Sequence, residues 1–127
     1  MDWFCKGDQV NSRAKGKAGE LEAAKALTAA LECAVARNAQ YCGKEGDADL
    51  RIEALPLLHV EVKRRRNAIT PDQAEEFLQQ AERDAIERAL PFLIHRVDQD
   101  TRWCCTVRLD RLYDLVCMLA KHKGWRV

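Results

Sequence analysis

The chain reads as a single α/β domain, a mixed sheet flanked by helices, on three observations. Apolar residues recur at helical spacing in three segments, and five shorter segments alternate or run apolar as strands do. The two kinds interleave as α-β-β-β-α-β-β-α, an order that lays helices against a central sheet. With 127 residues, 47% of them apolar and 32% charged, the chain suits one core. A chain of this size buries about two-thirds of its unfolded surface without staples.

Residues 1–14 carry little pattern and are expected to form a loose arm. From Lys15 a helix is expected, with Ala24, Leu27, Leu31 and Ala34 at helical spacing and Leu21 and Thr28 on its flank. The runs Ala34 to Gln40 and Leu50 to Ala54 bracket a loop holding Gly43, Lys44, Glu45, Gly46 and Asp47. In the second run Leu50, Ile52 and Ala54 share one face, and Asp49, Arg51 and Glu53 the other. Past Pro56, Leu57 to Lys63 alternates again, with Leu58, Val60 and Val62 opposite His59, Glu61 and Lys63. The two runs predict a β-hairpin.

Thr70-Pro71-Asp72-Gln73 is a helix start, with Thr as N-cap, Pro in the first turn and Gln at the capping-box position. Ala74, Phe77, Leu78, Ala81 and Ala85 carry the stripe toward Leu90, where Pro91 is expected to end the helix. Phe92 to Val97 reads as a buried strand and Trp103 to Val107 as another. Asp110 is expected to cap a last helix with Leu112, Val116, Leu119 and Ala120, so that residues 108–127 form a C-terminal helical extension.

No apolar run approaches the ~20 residues that cross a bilayer, and Met1 to Lys6 lacks the apolar stretch of a signal peptide. A cytoplasmic protein without membrane contact is expected. Net charge is +1, from 21 Lys and Arg against 20 Asp and Glu, so any hold on nucleic acid comes from local patches. The six cysteines show no C-x-x-C spacing and are expected to be reduced and mostly in the core. His59, His95 and His122 have no metal-ligand spacing and receive no chemistry.

Two features break the pattern. Glu20 points the same way as Ala24, Leu27 and Leu31, which places a carboxylate in an apolar stripe. It either favours the helix N-terminus and reaches solvent, or is held inward by a partner, a proton or a cation. Glu22 projects to the opposite side, near Lys25, and serves as the solvated control. The second feature is the hairpin, whose alternation gathers Asp49, Glu61 and Lys63 on one face. Two acids that close repel, and a divalent cation with hard oxygen ligands relieves the repulsion. The alternative is an exposed strand face with a Glu–Lys pattern.

Taken together, the helical acid and the hairpin triad resemble the PD-(D/E)XK nuclease superfamily. Lys15-Gly16-Lys17-Ala18-Gly19-Glu20-Leu21-Glu22, Ala48-Asp49-Leu50 and Val60-Glu61-Val62-Lys63 are similar to the corresponding motifs of archaeal-type Holliday junction resolvases. The likeness runs from about Lys15 to Val107. It implies a restriction-endonuclease-like core, α-β-β-β-α-β, with Asp49, Glu61 and the Val62 carbonyl as metal ligands. Glu20 would hold metal directly or through water, and Lys63 would position the attacking water. Arg37 matches a basic residue presented to a phosphate, and Gln79 or Gln80 a polar helix residue near the site; helix spacing does not choose between them. Ala48 stands where the superfamily's name has proline, and the last helix extends beyond the minimal core.

The resemblance implies a magnesium-dependent DNA endonuclease, with manganese able to substitute, acting on branched DNA as a homodimer. The loop Ala39 to Asp47 and the last helix are the candidate dimer surfaces. Lys63-Arg64-Arg65-Arg66, the one dense basic run, suits a phosphodiester backbone, and Lys15 and Lys17 extend it. Nucleases of the same core that act on flaps, ends, restriction or repair sites remain as alternatives, as does a non-catalytic nucleic-acid-binding or assembly protein.

Overall fold

The structure is a computed structural model that describes residues 2–38 and 48–126, with side chains from residue 16 onward. Helix α1 (Asp2–Leu31) leads into β1 (Ala36–Arg37), β2 (Leu50–Arg51) and β3 (Leu58–Arg65). Helix α2 (Pro71–Asp84), β4 (Leu90–Val97), β5 (Cys104–Thr106) and α3 (Leu112–Lys123) follow, the last preceded by a 3-10 turn at Leu109–Arg111 that takes in Asp110, so Arg111 and not Asp110 stands at the helix N-cap. Among the described residues five strands lie in the order β1-β2-β3-β4-β5, and of their pairings only β3–β4 is parallel, joined across α2. The expected α/β class, mixed sheet, hairpin and C-terminal helix are all present.

Alternation along β3 divides the layers. Its even positions, with Leu50 and Ile52, pack against Ala23, Ala24 and Leu27 of α1, and α3 joins that layer through Leu115, Met118 and Leu119. The odd positions Glu61 and Lys63 face Phe77 and Ala81 of α2. Leu50 and Val60 at the centre are 1% and 0% exposed, and burial of such side chains is worth about 2 kcal/mol each. Lys123 of α3 donates to the Glu32 carbonyl at 3.2 Å, tying the end of α3 to the end of α1. Arg108 donates to both Glu75 and Glu82 at 2.9 Å and fastens the β5–α3 connection to α2.

Several boundaries differ from expectation. The backbone is helical from Asp2, so the segment expected as a loose arm belongs to α1. The runs around β1, β2 and β5 pair over only two or three residues. After β2 the Leu55 N–H donates to the Ile52 carbonyl at 3.0 Å, and this turn buries Leu55 while leaving Ala54 exposed. Helix α2 stops at Asp84, not near Leu90, because Ala85 turns extended and a turn closed by the Ala89 N–H on the Ile86 carbonyl leads into the sheet. Leu90 donates its N–H to the Leu57 carbonyl at 2.7 Å and opens β4. Pro91 therefore sits inside a strand. Strand alternation turns its nitrogen toward the β5 side, where β5 pairs only with Leu93, Ile94 and His95, so the missing N–H costs no ladder bond.

The cysteines also depart from expectation. Among the described residues Cys104 and Cys105 are exposed and Cys33 and Cys117 half-buried, and all four are free. The loop Ala39 to Asp47 lies outside the described residues. No described helix is long and apolar enough to cross a membrane.

Candidate functional site

The β2–β3 register builds the centre of the site. Leu50 lies opposite Val60, so Asp49, one residue earlier, lies opposite Glu61. Residues directly across an antiparallel pair share a face, with Cβ atoms about 5 Å apart. The Asp49 N–H donates to the Val60 carbonyl at 2.9 Å, and its Oδ2 accepts the Val62 N–H at 2.8 Å. Burial and then the Glu61 charge push the Asp49 carboxyl from 3.8 up to about 7, against the lowering pull of the Val62 N–H. A side-chain hydrogen bond with Glu61 and the charge of Glu20 push the same way. Near neutral pH the Asp49 carboxyl is therefore only partly ionised.

The rest of that face comes from β3 and α2. Glu61 Oε1 lies 2.9 Å from Nε2 of His59, which is buried at 7% exposure. Lys63 Nζ stands 4.6 Å above the centre of the Phe77 ring, and the Arg65 guanidinium is 5.3 Å from the same ring. A pocket of about 40 Å³ is lined by Glu61, Lys63, Phe77, Gln80, Ala81 and Asp84. Of the two candidate glutamines, Gln80 reaches this pocket, whereas Gln79 donates to Glu75 at 3.1 Å along the exposed side of α2.

Glu20 does not complete a four-residue cluster. It projects from α1, near enough to Asp49 for its charge to push that carboxyl up, and its Oε2 accepts the Arg37 Nε–H. Arg37, expected to meet a phosphate, is engaged by that pair. Among the described residues no group of three or more His, Cys, Asp and Glu is placed to hold a metal ion. The donor set in place is a pair of carboxylates, Asp49 and Glu61.

The basic run divides in a similar way. Arg64, an even position, turns toward α1 and ion-pairs with Glu22 at 3.0 Å and Asp98 at 3.1 Å. Arg65 and Arg66 are exposed, as is Lys17; the Lys15 side chain lies outside the described residues. Glu22, read as a solvated control, anchors two arginines, because Arg96 also reaches it at 2.6 Å. His59, Phe77 and Asp84 were given no role from sequence. For His59 the signal was present, since alternation puts it on the face of Glu61, two residues away. Phe77 looked like an ordinary member of the α2 stripe.

Two facing carboxylates beside a lysine, within reach of exposed arginines, suit phosphodiester chemistry. The family described as "Phage putative PDDEXK endonuclease" matches residues 11–122. Neither a curated protein nor a solved structure matches the chain. The match spans nearly the whole chain and takes in Glu20, Asp49, Glu61 and Lys63, and the protein belongs to this PD-(D/E)XK endonuclease family.

Proposed function

We propose that the protein hydrolyses DNA phosphodiester bonds with magnesium held by Asp49 and Glu61. The observation that carries this reading is the Asp49–Glu61 pair, two acids set face to face with one of them raised to about 7. Folding holds these carboxyls together against their repulsion, and a hard divalent cation relieves it. The donor set fits such an ion. Magnesium is commonly held by one or two carboxylates and keeps several waters. The Val62 carbonyl adds a main-chain oxygen, because its N–H already points to the Asp49 side and a strand residue directs both groups to one neighbour. Glu20, neighbouring Asp49 and paired with Arg37, would act through water.

When bound, the cation would supply Lewis acidity at the scissile phosphate. Lys63, fixed over Phe77, orients the attacking water and stabilises negative charge developing on the phosphoryl oxygens. Arg65, Arg66 and Lys17 hold the backbone without reading sequence, and Gln80 lines the pocket beside the two reacting groups. Manganese substitutes, and calcium binds with little turnover.

The resolvase-like motifs around Glu20, Asp49 and Glu61 favour branched DNA as substrate. Resolving a junction takes two symmetric cuts and therefore a two-fold homodimer. The exposed row Leu109, Leu112, Tyr113 and Val116 leading into and along α3 supports that assembly. The test is a cleavage panel of four-way junction, flap, linear duplex and single strand with magnesium. The junction should be nicked more readily than the duplex, and Lys63→Ala should abolish cutting while the protein stays folded. Equal cutting of linear duplex removes the preference for branches. No cutting of any DNA with magnesium or manganese removes the nuclease reading itself.

A further inference from the structure

We propose that His59 is a positioning residue for Glu61, one that fixes which carboxylate oxygen is turned toward Asp49 and the cation. The inference rests on the proposed metal-dependent nuclease reading and adds a residue to it. His59 is among the most buried polar side chains described, at 7% exposure, and its Nε2 lies 2.9 Å from Glu61 Oε1. Both side chains project from the odd face of β3, so the contact is built into the strand and needs no loop to hold it. A Glu side chain has three rotatable bonds, and fixing it costs conformational entropy. A buried ring anchored by the strand meets that cost during folding, before any ligand arrives.

The geometry assigns the two oxygens of Glu61 different partners. Oε1 is taken by the imidazole, which leaves Oε2 as the oxygen open to a cation shared with Asp49, the residue directly across the β2–β3 register. Hydrogen bonds of this kind to a ligating carboxylate typically change metal affinity by about 10–100-fold when removed. Among the described residues, His59 and Asp49 are the side chains that hydrogen-bond to Glu61. Gln80, Lys63 and Asp84 line the pocket on the α2 side and make no hydrogen bond to Glu61 among the described contacts.

The test compares the full-length wild type with His59→Leu and His59→Gln. Leucine fills the buried site without a donor, whereas the glutamine amide restores an N–H at similar reach. Thermal melts establish folding, calorimetric titration with manganese measures affinity, and kcat and KM are measured separately on a cleaved DNA. We expect His59→Leu to bind manganese about tenfold more weakly and to lose kcat at unchanged KM for DNA. His59→Gln should recover most of both. A folded His59→Leu that binds and cuts like the wild type overturns the proposal and leaves the nuclease reading standing. A glutamine variant no better than leucine, both folded, reduces the role to packing and overturns it as well. Wild-type protein that binds no manganese removes the metal site first, and the positioning role with it.

Discussion

At the scale of single residues, Asp49 carries most of the weight. Its carboxyl sits at about 7 in the folded protein against an ordinary 3.8, so the folded state holds this proton more tightly than the unfolded chain. As pH rises the unfolded chain releases it first, and stability falls from about pH 4 to about pH 7, then levels off. Asp49→Asn keeps an oxygen for the Val62 N–H, offers an amide donor to Glu61 and removes the charge. We expect this variant to melt higher than the wild type at pH 8, by on the order of 5 °C, with the gap closing by pH 4 and with cleavage lost throughout. Equal melting at pH 8 would mean that the facing acids do not strain the fold. Much of this face was legible, because alternation alone aligned Asp49, Glu61 and Lys63 before any coordinates. Glu20 was legible only as an anomaly. Its partner Arg37 lies on a strand beyond the end of its helix, and no periodicity within α1 encodes a contact with another layer.

Elements show the same division between local and tertiary signals. The start of α2 was written in four residues: Thr70 accepts the Gln73 N–H at 3.1 Å and Gln73 returns a bond to the Thr70 N–H at 3.0 Å. Thr70→Ala should cost about 1 kcal/mol, read as a shift of the denaturant midpoint with unchanged slope. The end of α2 was not legible from its stripe, because the apolar run Ala89 to Ile94 fits a helix face and a doubly buried strand equally well. Sheet pairing decides it, through Leu90 on Leu57. The pairing of α1 with the sheet depends on Glu22, which faces the Arg64 and Arg96 guanidiniums, Arg96 being buried. Glu22→Ala leaves Arg96 without that carboxylate and should destabilise the protein by about 2 kcal/mol, more than Glu22→Gln in the same melts. Equal losses would show that charge at position 22 contributes nothing beyond a hydrogen bond.

For the molecule as a whole, the sheet order brings one strand pair, one helix and one register together at a single polar face. The strands that carry Asp49 and Glu61 are adjacent and antiparallel, and the parallel β3–β4 pair places α2 over that face. The exposed apolar row of α3 should be covered by a second copy. Sedimentation of the wild type should then give a dimer and that of Val116→Asp a monomer, with a wild-type monomer at micromolar concentration refuting the assembly. The chemistry hinges on whether folding stores carboxylate repulsion that a cation releases. Manganese titration by calorimetry at pH 6, in buffers of different ionisation enthalpy, measures the protons set free on binding. With Asp49 near 7, each bound ion should release about one proton at pH 6 and almost none at pH 9. Manganese that binds without releasing protons at pH 6, or does not bind, would place the ion elsewhere and leave the two acids without the role assigned to them.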